Sequence, residues 1–181
     1  MKTLENIQKL AKIGKSVTRI FLFLSIFFIT LSIIALMAVI LSDGMGVDVR
    51  NYTIGGLFRH REELDALDAI IYIIALSVFF IGHTYLWNSA YRYFAVEVES
   101  GTPFRIENYR NLRSLGIATI LFPAIFELLT LVLLSFASEH VFSGSAIMEY
   151  NPLSTFSLGV MIIFVSVVCR YGAEIEAKKN A

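Results

Sequence analysis

The sequence has one cysteine, Cys169, and few charged residues, and these two shortages exclude several classes of protein. A single thiol cannot form an intramolecular disulfide framework or a zinc site built from several thiolates. Lys, Arg, Asp and Glu make up 17% of the residues, against about 25% in ordinary soluble domains. Their formal net charge is zero, so no overall field that attracts nucleic acid is expected. Cys169 is interpreted as structural, with a redox or lipid-modification role as the alternative.

The sequence is rich instead in apolar residues, which make up 56% of it. A membrane-spanning helix needs about 20 predominantly apolar residues to cross about 30 Å of hydrocarbon with its backbone hydrogen bonds satisfied internally. Four runs meet this need, at 20–41, 69–90, 115–136 and 153–169. The fold class predicted is therefore all-α, a single membrane domain over residues 1–181 with four transmembrane helices.

The segments between the runs follow from these boundaries. Residues 1–19 are predicted to form an amphipathic tail on the inner membrane surface, with partner binding as the alternative, because apolar and lysine positions separate around a helical wheel. In the outer loop 42–68 we expect a short amphipathic helix. The remaining segments are a helical hairpin at 91–114, a short acidic outer loop at 137–152 and a C-terminal tail at 170–181.

The basic residues predict the orientation, because Lys and Arg near a span are retained in the cytoplasm. Twelve of the fifteen fall in the two terminal tails and the hairpin, and three fall in the loop 42–68. Both the N-terminus and the C-terminus are therefore expected in the cytoplasm. The twelve are Lys2, Lys9, Lys12, Lys15, Arg19, Arg92, Arg105, Arg110, Arg113, Arg170, Lys178 and Lys179.

The hairpin at 91–114 is predicted from its helix-breaking residues. Gly101 favours a left-handed C-terminal cap, and Pro103 disfavours helical geometry at the residue before it. A new helix is expected to begin at Ile106. Two apolar stripes predict packing between the arms. The acids Glu97, Glu99 and Glu107 are expected near the hairpin tip, and Arg92, Arg110 and Arg113 near the headgroups. The stripes consist of Tyr91, Phe94 and Val98, and of Ile106, Tyr109 and Leu112.

Two short motifs carry a resemblance to a known family. The first comprises Gly101, Thr102, Pro103 and Phe104, then Asn108, then Leu112, Arg113 and Gly116; the second comprises Arg170, Gly172 and Glu174. Together they resemble the signature of a bacterial four-helix membrane family catalogued as domain of unknown function 2975. That family usually continues into an acidic stretch ending like aspartate-leucine-threonine-valine, whereas this sequence has Ala177-Lys178-Lys179-Asn180-Ala181 there.

The resemblance implies a location and a class of partner. It implies the cytoplasmic membrane of a bacterium. Genes of the family frequently lie beside one for a small helix-turn-helix regulator, which implies a transcription factor as the cytoplasmic partner. The family has no established activity, so the resemblance implies no reaction.

Glu127 is a second candidate site, because an ionisable residue inside a span is functional by default. Counting residues along each run places Ser32, Ser77 and Ser157 at its depth and His83 somewhat closer to the inner surface. We expect Glu127 to face the interior of the bundle, either hydrogen-bonded to hydroxyls or as part of a proton or cation pathway. His83 is interpreted as a residue that hydrogen-bonds between helices.

Two functions remain open at this point. The first is a non-enzymatic regulatory or sequestering membrane protein whose hairpin and tails bind a helix-turn-helix regulator or another protein. The second is a small transporter or channel subunit that forms a homo-oligomer around Glu127. No nucleophile with a positioned base is recognisable, so an enzyme is not expected. The bilayer is the expected surrounding, and no cofactor, metal ion or direct nucleic-acid contact is expected.

Overall fold

The computed structural model describes residues 2–45, 66–135 and 152–179, and within these it is helical apart from the turn near residue 101. The four helices are α1 Lys2–Met45, α2 Ala66–Ser100, α3 Ile106–Leu134 and α4 Pro152–Lys179. All four are long and apolar enough to cross a membrane. The prediction of an all-α chain with four such helices is confirmed. Most of the two outer loops, including the short helix expected in 42–68, lies outside the described residues.

Each helix extends beyond the apolar run that predicted it. Pro152 begins α4, as expected of a residue that lacks the N–H group a first helical turn leaves unpaired. The same helix continues to Lys179, so most of the segment predicted as a C-terminal tail is helical. Likewise α2 runs ten residues past position 90 before it ends at Ser100.

The N-terminal tail is helical and continuous with the first predicted span. Helix α1 continues without a break from Lys2 to Met45, a length of about 66 Å at 1.5 Å per residue. The tail packs against α2: Ala11 is buried, Gly14 lies against the Phe94 ring, and Lys15 Nζ lies 5.9 Å from the centre of the Tyr91 ring. The location of the tail at the inner membrane surface stays a prediction.

The helices contribute to two compact units. The first contains the described residues 2–24, 82–124 and 152–179, and the second contains 25–45, 66–81 and 125–135. The core of the second unit consists of Val39, Ala69 and Ile73, with Ala35, Leu36 and Ile70 packed around them. Stacked Phe28 and Phe80, whose ring centres are 4.9 Å apart, extend this core.

The first unit holds α3 and α4 together through small residues. Gly116 of α3 and Gly159 of α4 face each other, and Ile120 lies against Gly159. On α2, Gly82 lies against the Phe122 ring of α3. Because glycine has no side chain beyond a hydrogen atom, two helix backbones can approach closely there. Membrane helices associate through such close packing, since burial of apolar surface does not drive their association. This unit carries the hairpin and the C-terminal helix, and therefore both resembling motifs.

Candidate functional site

The turn of the hairpin is built by Gly101 and the polar residues beside it. Gly101 has a φ of +74°, and its N–H donates to the Glu97 carbonyl at 3.1 Å, which is the bond expected of a left-handed helix cap. Ser100 Oγ donates to the Thr102 carbonyl at 2.7 Å, and the Phe104 N–H donates to Thr102 Oγ1 at 3.2 Å. The predicted end of α2 and the predicted restart at Ile106 are both confirmed.

Asn108 closes the turn from the other arm. Its Nδ2 group donates to the Thr102 carbonyl at 3.4 Å and to the Pro103 carbonyl at 3.3 Å. The residue is fully buried, with 0% of its surface exposed. Its Oδ1 atom has no hydrogen-bond donor among the described residues. Asn108 is therefore a structural bracket for the turn rather than a surface group.

Glu97 departs from the prediction that it lies at the solvated tip. Its side chain is only 5% exposed, whereas Glu99 and Glu107 are exposed as expected. The residue lies beyond the predicted span 69–90, and burial raises the pKa of its carboxyl, an effect that a hydrogen bond from the Tyr93 hydroxyl opposes. Its backbone carbonyl also accepts a hydrogen bond from Gln8 Nε2 of α1 at 3.2 Å. The only feature of the sequence that indicates contact between Tyr93 and Glu97 is their spacing of four residues, which makes them neighbours on a helix.

The C-terminal motif packs against the hairpin. Phe104 lies directly against Gly172, in the space that a Cβ atom would occupy. Arg170 makes an ion pair with Glu174 at 2.9 Å, and its guanidinium lies 5.5 Å from the centre of the Tyr109 ring. The two motifs, more than fifty positions apart in sequence, therefore form one structure.

The remaining motif residues lie along α3. Leu112 is buried, and Arg113 Nη1 donates to the Tyr109 hydroxyl at 3.0 Å. Gly116 makes the contact with Gly159. Phe94 contacts Gly14 of α1. Gly14 belongs to neither of the two apolar stripes that were predicted to pack together. Cys169 is buried, as its structural interpretation requires.

The second candidate site, around Glu127, does not assemble as predicted. Glu127 is exposed and has no hydrogen-bond partner among the described residues, so the prediction that it faces the bundle interior is wrong. In the same unit, Ser32 Oγ donates to the Phe28 carbonyl at 2.9 Å and Ser77 Oγ to the Ile73 carbonyl at 2.7 Å. Each serine therefore satisfies its hydroxyl within its own helix.

The other two members of that set belong to the other unit. Ser157 is exposed, and the His83 ring packs edge to face on Phe122 with ring centres 5.5 Å apart. Counting along the helices predicts a depth for each residue but no direction around the helix, and that direction is set by packing such as the contact of Phe79 with Phe126. Within residues 2–45, 66–135 and 152–179, no group of three or more His, Cys, Asp and Glu side chains could hold a metal ion.

The site that the structure does assemble is thus the hairpin turn with its C-terminal partner helix, an arrangement of caps, brackets and close helix contacts. Comparison with known proteins adds nothing to it: no protein-family model, no curated protein and no solved structure matches this chain.

Proposed function

We propose that this chain is a multi-pass protein of a bacterial cytoplasmic membrane, with both termini in the cytoplasm, that holds a regulatory protein partner there. The four long apolar helices support the crossing, and the twelve basic residues on one side support the orientation. Reporter proteins fused at each end should both give a cytoplasmic signal. A periplasmic signal at the C-terminus would mean that α4 does not cross.

One observation carries the proposed partner binding: large apolar side chains are exposed outside the predicted spans. Tyr171 is 66% exposed, Ile175 50% and Phe104 42%. We call these three residues the Phe104 patch. In a spanning segment such exposure only indicates contact with lipid, but in the cytoplasm a contiguous apolar surface marks an interaction site.

The three residues of the Phe104 patch lie side by side. Positions 171, 172 and 175 share about 100° of the helix circumference, because residues three and four apart are neighbours on a helix. Phe104 lies against Gly172, within that arc. The close packing of Phe104 on a glycine therefore joins the hairpin to the exposed face of α4 and makes one surface from both.

A protein fits this surface better than lipid does. Ile175 lies six residues past the predicted end of the span, or about 9 Å along the axis. Two exposed acids flank it, Glu176 and Glu174, of which Glu174 is paired with Arg170. An apolar helix face bordered by acids suits a partner helix with basic flanks. We propose a small helix-turn-helix regulator, the partner that the family resemblance implies.

A photo-crosslinking experiment tests this proposal. The photoreactive residue p-benzoylphenylalanine is placed at Ile175, and membranes are irradiated in the native host. We expect an adduct whose mass spectrum identifies a helix-turn-helix protein, and we expect it to weaken when Tyr171→Ser is added.

The matched control places the same group at Met161, which is 65% exposed on the same helix but within the predicted span. That position should give lipid adducts without the regulator. Only lipid at Ile175, or the same proteins from both positions, would contradict the proposal.

The exposure of Glu127 favours a second candidate function, a transporter or channel subunit that is complete only as a homo-oligomer. Ala124, three residues before Glu127 on the same face of α3, is also exposed. An acidic side chain at the centre of a span costs about 2.5–3.5 kcal/mol on insertion scales. A second copy that pairs with this face would remove it from lipid.

Cysteine crosslinking separates this second candidate from the first. In a Cys169→Ala background, Glu127→Cys should give a disulfide-linked dimer on oxidation, whereas Ser32→Cys, at a buried position, should not. If the dimer forms, loss of proton or cation flux in liposomes carrying Glu127→Gln would support transport. A monomer with both cysteines would exclude the oligomer.

A further inference from the structure

A groove lies between the two arms of the hairpin, near the predicted ends of the spans. Its volume is about 350 Å³. The arm from α2 contributes Tyr91, Arg92, Ala95 and Val96, and the arm from α3 contributes Glu107, Arg110 and Asn111. All seven residues belong to the first unit. The Phe104 patch shares no residue with this groove.

The groove contains two arginines that lack acidic partners. Arg92 and Arg110 are both exposed, and neither has a carboxylate within 4.0 Å in the part of the chain that the structure describes. They come from different helices and reach the same groove. Glu107 is the one acid in the lining, so the groove has a formal charge of +1. An excess of positive charge with an amide donor, Asn111, suits an anion.

The position of the groove indicates which anion. Arg92 is two residues beyond the predicted end of the second span and Arg110 is five before the predicted start of the third, or about 3 and 8 Å along the helix axes. The headgroup layer on each side of a bilayer is about 5–8 Å thick. The predicted span ends therefore place both arginines at the level of lipid phosphates.

We propose that this groove binds the phosphate of an anionic phospholipid headgroup, with Arg92 and Arg110 donating to the phosphate oxygens and Asn111 to the headgroup. The proposal rests on the membrane insertion given under the proposed function, but not on the protein partner. Two planar guanidinium groups can each donate two hydrogen bonds to one phosphate. Of the apolar lining, Tyr91 lies nearest the predicted end of the second span, where the glycerol and first methylenes of the lipid would pass and which a free phosphate ion would leave uncovered.

Native mass spectrometry of the purified full-length protein tests this site. The protein in detergent is titrated with phosphatidylglycerol, which is anionic, and with phosphatidylcholine, which has the same phosphate but no net charge. We expect one phosphatidylglycerol to bind in preference to phosphatidylcholine. The double variant Arg92→Gln and Arg110→Gln should bind phosphatidylglycerol about tenfold more weakly, because it loses charge-assisted hydrogen bonds.

Two further variants make the result specific. Arg105→Gln removes one positive charge from the hairpin at an exposed position outside the groove and should leave the preference unchanged. Glu107→Gln removes the one acid of the groove and should strengthen phosphatidylglycerol binding several-fold, a gain that no folding defect would produce. It therefore keeps the test decisive even if the double variant is unstable.

Three outcomes would overturn the proposal. The first is equal binding of the two lipids to the wild-type protein. The second is the same loss of binding in Arg105→Gln as in the double variant, or no gain in Glu107→Gln. The third is displacement of phosphatidylglycerol by an excess of inorganic phosphate, which would show a site for soluble anions. Because the purified protein carries no partner, failure here leaves the proposed partner binding untouched, and a failed photo-crosslink leaves the lipid site untouched.

Discussion

Gly116 of α3 and Gly159 of α4 meet backbone to backbone: a Cβ atom added to either would lie 2.9 Å from the carbonyl oxygen of the other. This reciprocal contact is possible only for two glycines. It fixes α4 against α3, and α4 carries Tyr171 and Ile175 of the Phe104 patch. The position of the proposed partner surface therefore depends on a contact within the predicted spans.

Gly116→Ala should destabilise the protein by about 1–3 kcal/mol, as overpacking does in other close contacts. The new methyl group would lie 3.0 Å from the backbone nitrogen of Ile163, and a helix backbone cannot move as a side chain can. Thermal unfolding in detergent measures the effect. As a control, Ala124→Val enlarges an exposed residue of the same helix and should leave the unfolding temperature unchanged. If Gly116→Ala also left the unfolding temperature unchanged, the two helices could separate without cost and the prediction would be contradicted.

Gly101→Ala should cost about 1–2 kcal/mol of stability, because the left-handed region is unfavourable for residues with a Cβ atom. No other atom lies within 4 Å of the position that this Cβ would take, so the cost is conformational alone. Gly101→Asn serves as the control, since asparagine tolerates this conformation, and it should lose less. Equal unfolding temperatures for the alanine and asparagine variants would contradict the cap.

Glu97→Gln should stabilise the protein at neutral and alkaline pH. Because burial raises the carboxyl pKa above its ordinary value of 4.5, ionising Glu97 costs stability in the folded state. The cost is absent below about pH 4.5, grows as the pH rises through the folded-state pKa and is constant above it. Unfolding of wild type and variant across this range should show a difference that widens with pH. A constant difference for Glu97→Gln would contradict the assignment.

Asn108→Asp should destabilise the protein by about 1–3 kcal/mol or more, because it replaces a buried donor with an acceptor that faces two carbonyl oxygens. The loss should be larger at pH 8 than at pH 5, since only the protonated acid can donate to the Thr102 and Pro103 carbonyls. Asn111→Asp on the same arm lacks these bonds and should lose much less. A loss at Asn108 that does not change with pH would mean that the amide is not the bracket of the turn.

The elements that sequence reasoning predicted correctly are those with local causes. The end of α2 at Ser100 and the restart at Ile106 each depend on a glycine or proline within a few residues. The direction of a side chain around a long apolar helix has no local cause. Apolar residues surround most of each helix, so Glu127 could not be assigned a face from its neighbours, and Glu97 could not be distinguished from exposed Glu99.

For the candidate site, the sequence predicted which residues take part but not how they contact one another. Both resembling motifs were visible in the sequence, and the stripe containing Leu112 pointed to its burial. That Phe104 would lie on Gly172 was not predictable, because the contact joins residues far apart in the chain and glycine carries no pattern of its own. Gly159 and Gln8 were missed for the same reason.

The bracketed turn also bears on the order of folding. Its hydrogen bonds join residues at most six positions apart, and loops of about ten residues close in roughly 10–100 ns. During synthesis at about 5–20 residues per second, this turn can therefore form long before α4 has been made. The hairpin would then already be closed when α4 is made, and α4 would pack against it last.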